Sequence, residues 1–300
     1  MHFFFGILLG LTAATGFSFA YLGSRFFYEK AEKSPFLLLA VSQIQMGIFA
    51  AILLPFVWSP FPLSPATLFP LLGTVLFGMG GQLIFFFTLQ HSTPSQVIPL
   101  LALKIFILAF VSILVLQKAI SPLQWGGIVL CFTATFLSSF TGDSIPFTGF
   151  LGILATCTGY TMGDVFVTML IRELTSLNAK HPVLLATCLI YGTAGIAGLF
   201  LGLPQRRTLK TVIPWKFALY FSIFFFLADF CLFTTFKLVG PIFGNIVQST
   251  RGLFSILLAK LISRRGMTYL EPEMGRAVVI QRIVAASLFT LAIALYVLGE

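Results

Sequence analysis

FFFTLQHSTPSQVIPLLALK (Phe85–Lys104) aligns without a gap onto LFTTFKLVGPIFGNIVQSTR (Leu232–Arg251). Thr88 falls on Thr235, Pro94 on Pro241 and Lys104 on Arg251. A second ungapped match sets GILLGLTAATGFSFAYL (Gly6–Leu22) against GFLGILATCTGYTMGDV (Gly149–Val165). The two offsets, 147 and 143 residues, are nearly equal, so the chain reads as two copies of one unit, 1–143 and 144–300.

Composition says what that unit is made of. The 300 residues are 58% hydrophobic and only 9% charged, with 36 Phe, and mean hydropathy is +1.02. A soluble domain carries about a quarter charged residues. Apolar runs fall near 3–23, 35–57, 66–89, 94–116, 122–140, 149–171, 182–203, 213–237, 241–262 and 278–298, each about the length that crosses a bilayer. Ten transmembrane helices, five per copy, are therefore expected, in an all-α integral membrane protein. An odd number of spans per copy forces the copies into opposite orientations, the inverted-repeat plan of secondary transporters, with a site near the midplane between halves. The short connections leave no room for a soluble catalytic domain.

The net charge of +9 does not point to nucleic acid. Its basic residues sit in short loops, and no Lys/Arg-rich run, zinc spacing or RNA motif accompanies them. Arg25, Lys30, Arg206, Arg207, Lys210 and others away from the termini outnumber Lys118, Arg172, Lys180 and Lys237 on the termini side. That bias predicts both termini outside the cytoplasm. Cys131, Cys157, Cys188 and Cys231 lie inside apolar runs with no CxxC pair, so they read as small core residues rather than disulfides or metal ligands. The first twenty residues could pass for a signal peptide ending at Ser18-Phe19-Ala20. They lack a basic n-region and recur as an internal span, so they read as retained structure.

The end of each copy resembles the EamA-type members of the drug/metabolite transporter superfamily: a short loop, a span opening on Pro or a small residue, a hairpin, then a Gly-containing last span. The resemblance implies a ten-helix transporter and covers essentially the whole chain. That family often carries Gly-Glu after spans four and nine. Here Leu116-Gln117-Lys118 and Arg264-Arg265 stand there, so that glutamate lends no role to this chain.

Lys104, Asp164, Asp229 and Arg251 fall well inside apolar runs. Each charge at mid-bilayer costs about 2.5–3.5 kcal/mol on insertion scales, so such residues mark function or pair with one another. The repeat places Asp164 opposite Tyr21 and Asp229 opposite Gln82. Thr158, Thr161, Asp164 and Thr168 share a helical face, as do Thr15, Ser18 and Tyr21, and Asn245, Gln248, Arg251 and Ser255. Lipid would penalise such stripes, so they are expected to face the interior or a water-filled cavity. Lys104, Arg251, Asp164, Asp229, Tyr21, Gln82, Asn245, Gln248 and Tyr160 are accordingly the candidate substrate-binding residues. Two cations suit an anionic group, Arg as a planar fork and Lys as a point charge. The aspartates suit an ammonium or a coupled proton, and a zwitterionic cargo satisfies both signs. Mutual ion pairing that fixes helix packing is the competing explanation. His91 is a proton relay by chemistry, but falls in a loop. Gly78–Gly81 (GMGG) and Pro99 are expected to interrupt spans three and four, and the GxxxG pairs Gly6/Gly10 and Gly198/Gly202 to bring helices close.

These features favour a secondary carrier of a small organic metabolite, amino-acid-like or nucleoside-derived (S-adenosylmethionine, for example), in a bacterial inner membrane. No nucleotide-binding motif is present, so coupling would be to protons, to counter-substrate, or absent, and no cofactor or metal is called for. A lipid or polyprenyl-phosphate flippase, or a drug exporter, would use the same fold. A membrane enzyme would need clustered carboxylates or histidines near an interface, whereas the chain has three His.

Overall fold

The computed structural model describes residues 2–31, 34–91, 97, 100–115, 117, 119–139, 147–264 and 276–299. These residues are helical apart from turns, and no strand occurs among them. The first half holds α1 (His2–Lys30), α2 (Pro35–Val57), α3 (Pro65–His91), α4 (Lys104–Val115) and α5 (Pro122–Ser139). The second holds α6 (Phe147–Ser176), α7 (Pro182–Gly202), α8 (Val212–Val239), α9 (Pro241–Ser249), α10 (Arg251–Arg264) and α11 (Arg276–Leu298). Six of these, α1–α3 and α6–α8, are long and apolar enough to cross a membrane. Shorter apolar stretches, Pro122–Leu137 and Ser287–Leu298, lie in α5 and α11.

Proline sets many of the boundaries. Five helices open on Pro35, Pro65, Pro122, Pro182 and Pro241, where the missing N–H is one the first turn leaves unpaired anyway. Ser34 caps α2 by accepting from the Leu37 amide at 3.2 Å. Gly240, at φ 81°, ends α8 by donating its N–H to the Phe236 carbonyl, a conformation that excludes most side chains. Pro241 then starts α9 at once.

Four expectations change here. The ninth apolar run is two helices, α9 and α10, divided at Thr250, which donates back to the Val247 carbonyl. Of the fourth run, 94–116, the first residues lie largely outside those described. Its described part consists of a 3-10 turn, Leu101–Leu103, and then α4, which starts on Lys104 itself. GMGG does not interrupt α3, which continues to His91. Neighbouring helices hold it there, since Gly81 packs directly on Gly159 of α6. His91 is therefore the last residue of a helix rather than part of a loop; its side chain, like Pro99, lies outside the described residues, as does the 143/144 boundary between the repeats.

The principal packing partners are α1 with α8, α3 with α6, α2 with α7, and α5 with α11. Each pair joins one helix from either half of the chain. Close approach depends on small residues at the crossings, because between helices in lipid the gain comes from van der Waals contact. A Cβ on Gly16 would sit 3.0 Å from the Ala228 Cβ, one on Gly159 2.8 Å from the Gly81 Cα, and one on Gly195 2.8 Å from the Gly47 Cα. The GxxxG glycines are crossing points too: Gly6 meets Val239, Gly10 meets Val247, and Gly198 meets the Ala40 carbonyl. The outer surface is apolar, with Phe56, Leu76, Leu114 and Phe200 exposed, as a lipid-facing surface requires.

The α2–α7 crossing gives a direct test. Gly195→Ala drives a methyl onto the opposing backbone and is expected to cost about 1–3 kcal/mol. Melting in detergent should fall clearly for it. Gly192→Ala, where nothing lies within 4 Å, should melt like the parent.

Candidate functional site

A cavity of about 80 Å³ sits among α1, α2, α3, α6, α7 and α8, with the starts of α4 and α10 reaching its wall. Of the nine candidate residues, Tyr21, Gln82, Lys104, Tyr160, Asp164, Asp229, Gln248 and Arg251 line it. Asn245 stands behind the wall, bonded to Asp164. Thr161 and Thr168 are buried, as the sequence stripe predicts, but Thr158 is exposed and bonds its hydroxyl to the Leu154 carbonyl of its own helix. The interior face of α6 is thus narrower than the spacing suggested.

Lys104, 4% exposed, forms a salt bridge to Asp164 at 3.2 Å. The same Asp164 oxygen accepts from Asn245 Nδ2 at 2.7 Å. The ammonium also lies 5.9 Å from the Tyr160 ring centroid. Thr161 fixes the helix break by donating its hydroxyl to the Lys104 carbonyl at 3.2 Å. The ion pairing weighed from the sequence is therefore real for this cation.

Arg251 is different. It is 2% exposed, and among the described residues no carboxylate lies within ion-pair distance of it. Its guanidinium reaches the Tyr21 hydroxyl at 3.5 Å and lies 5.9 Å from the Phe17 and Tyr21 ring centroids. Ser18 donates to the Arg251 carbonyl at 3.0 Å, and Ser255 to Ser18 at 3.1 Å. Rings attract a guanidinium by about 0.5–2 kcal/mol each, well short of a buried ion's several-kcal/mol desolvation penalty. Both cations, moreover, occupy the first residue of a helix, where the backbone dipole is already positive. The arrangement favours an anion.

Asp229 pairs with neither cation. Its carboxylate accepts from the Tyr191 hydroxyl. Gln43 Nε2 donates to Gln82 Oε1 at 2.7 Å. Gln43 and Tyr191 line the cavity and were missed from the sequence. The signal available was a third gap-free match, at an offset of 148, which sets Gln43 on Tyr191 and Gly47 on Gly195. Phe17, Phe225 and Phe233 complete an aromatic wall, Phe17 meeting Phe225 edge-on at 5.2 Å. Among the described residues, no group of three or more His, Cys, Asp or Glu is placed to hold a metal ion.

Residues 4–140 match the EamA-like transporter family. No curated protein matches the chain by sequence. A solved crystal structure of a protein is similar over 98% of this chain and 97% of its own, with a TM-score of 0.64 and 16% identity, a likeness of fold.

The ion pair makes a double-mutant test. Asp164→Leu leaves a buried ammonium without its partner and is expected to cost about 3–5 kcal/mol. Lys104→Met combined with Asp164→Leu should recover much of that loss. Melting of the three variants in detergent checks it: a double variant no more stable than Asp164→Leu contradicts the pairing.

Proposed function

We propose that the chain, whose residues 4–140 match the EamA-like transporter family, is a membrane transporter of the drug/metabolite transporter type and a secondary carrier of a small zwitterionic or anionic metabolite. On this reading it has ten spans in two inverted copies, 1–143 and 144–300, and works by alternating access in a bacterial inner membrane. It performs no catalysis.

Support for two opposed copies comes from contacts that recur at the repeat offsets. Lys104–Asp164 has its counterpart in Arg251–Tyr21. Thr161 on the Lys104 carbonyl has Ser18 on the Arg251 carbonyl. Gln43–Gln82 has Tyr191–Asp229. Gly81 against Gly159 has Ala228 against Gly16, and Gly47 meets its own counterpart, Gly195. Gly23 lies under Tyr220 while Gly73 lies under Phe166, so at that crossing the copies exchange bulk and space. Duplicated contacts across the α2–α7 glycines are what a pseudo-twofold axis there would produce.

The observation that carries the substrate reading is Arg251: a buried guanidinium on the cavity wall with no carboxylate within ion-pair distance among the described residues. A carboxylate or phosphate on the cargo would supply that partner through two parallel hydrogen bonds. Asp229, held by Tyr191 rather than by a cation, is left to meet an ammonium. Lys104 would be lent to the cargo when its bond to Asp164 opens. A cavity of about 80 Å³ is far below the 300–1,000 Å³ of ligand pockets. A space that small does not admit such a cargo, so on this reading loading requires the paired helices to part. The α2–α7 crossing, backbone against backbone, is the natural pivot. Compounds derived from nucleosides, S-adenosylmethionine among them, have the required charges and a ring for the aromatic wall.

Uptake into proteoliposomes tests the reading, with amino acids, nucleoside-derived zwitterions and polyprenyl phosphate as cargo. Arg251→Gln and Lys104→Ala should each lower uptake about 10- to 100-fold, the loss of one charge-assisted hydrogen bond. Full transport by both variants removes the site, and movement of polyprenyl phosphate in place of zwitterions makes the protein a flippase.

A further inference from the structure

Two buried amides on the cavity wall, Gln43 of α2 and Gln82 of α3, are 2% and 3% exposed. They share one hydrogen bond, Gln43 Nε2 to Gln82 Oε1. The other atom of each, Gln43 Oε1 and Gln82 Nε2, has no partner. A carboxamide has one acceptor and one donor end, and coordinates alone do not tell its O from its N. The conclusion survives that ambiguity. Exchanging O and N on both residues keeps the bond between them and again leaves one free donor and one free acceptor.

Buried polar groups are nearly always hydrogen-bonded, and each exception calls for a reason. Packing alone does not supply one here. A pair whose purpose was to tie α2 to α3 would satisfy both amides internally, as Gln45 does by donating to the Trp215 carbonyl and accepting from Ser222. The same cavity presents Arg251 to an anionic group and an aromatic wall that includes Phe17 and Phe225.

We propose that the Gln43–Gln82 pair reads a neutral donor–acceptor edge on the cargo, so that the protein selects zwitterions bearing a carboxamide or an amino-substituted nucleobase over those with apolar side chains. This rests on the carrier reading and narrows its substrate class. A site built to hydrogen-bond such an edge discriminates strongly, because an apolar analogue leaves both amide atoms buried and unpaired. The side chains come from two helices of the same half, so the edge is bound before and after the halves move.

The test uses the full-length protein in proteoliposomes and radiolabelled probes: L-glutamine and S-adenosylmethionine, which carry the edge, and L-methionine, which does not. At least one edge-bearing probe should enter about tenfold or more faster than methionine. Gln43→Leu and Gln82→Leu should bring that ratio close to one. Gln82→Glu keeps the size and polarity of the side chain, guards against a folding defect, and should also abolish the ratio, because it removes the Gln82 N–H donors whether these face the cargo or Gln43. Equal entry of all probes in the parent, or a ratio that survives the substitutions, overturns the edge while leaving the carrier intact. Failure of every zwitterion to enter overturns the carrier reading and this inference with it.

Discussion

A charge inside an apolar bundle must find its counter-charge within the bundle or bring it in from outside. Lys104 does the first. Its salt bridge to Asp164 is braced by Asn245 of α9, and the Thr161 hydroxyl holds the carbonyl where the helix restarts. Arg251 finds no counter-charge among the described residues: a tyrosine hydroxyl and two rings surround it. The crossings of α1 with α8 and α3 with α6 build the walls that bury both, and they close only because glycine or alanine stands where the helices meet. Removing water is what gives the unmatched guanidinium its appetite for an anion, since electrostatic attraction strengthens as the surroundings become less polar.

The helix breaks arise from the same constraint. A continuous helix through Thr250 or Leu103 would leave no free backbone at the cations. Restarting the helix at Lys104 and at Arg251 makes each cation the first residue of a helix, at the positive end of its backbone dipole. Such ends are tolerated at membrane depth where they line a cavity or are buried in protein. Ser18 and Thr161 donate to the carbonyls of Arg251 and Lys104, so the first residue after each break is tied to a helix of the opposite half. These bonds tie the site to the packing of α1 and α6.

Much of this was legible in the sequence, because charge in an apolar run and self-similarity at a fixed offset are strong signals. Lys104, Arg251, Asp164 and Asp229 announced themselves by their cost, and Tyr21 and Gln82 by their register against the aspartates. Gln43 and Tyr191 did not, since neutral polar residues are common helix glue and their match lies at a third, slightly different offset. The break before Arg251 has no Pro to mark it, and its one local bond, Thr250 N–H to the Val247 carbonyl, follows no sequence signal. GMGG erred the other way. Its glycines signalled an interruption, whereas Gly81 serves a close helix contact and α3 passes straight through. Thr158 shows the limit of face arguments: a threonine can satisfy its hydroxyl on its own helix and face outward at little cost.

Where paired contacts correspond, the departures from correspondence carry the chemical information. Asp164 stands against Tyr21, so one cation is neutralised and the other is not. Asp229 stands against Gln82, so one hydrogen-bonded pair carries an acid and the other is neutral. A perfectly duplicated site would bind a symmetric cargo in two equivalent poses. Here the excess positive charge lies at Arg251 and the spare acid at Asp229, with neutral amides across the cavity. On the carrier reading, that distribution fixes a single orientation for a zwitterion. The two halves can then rock as near-equivalents while the cargo stays in one pose, because symmetry governs the backbone and asymmetry governs the few side chains that touch the cargo.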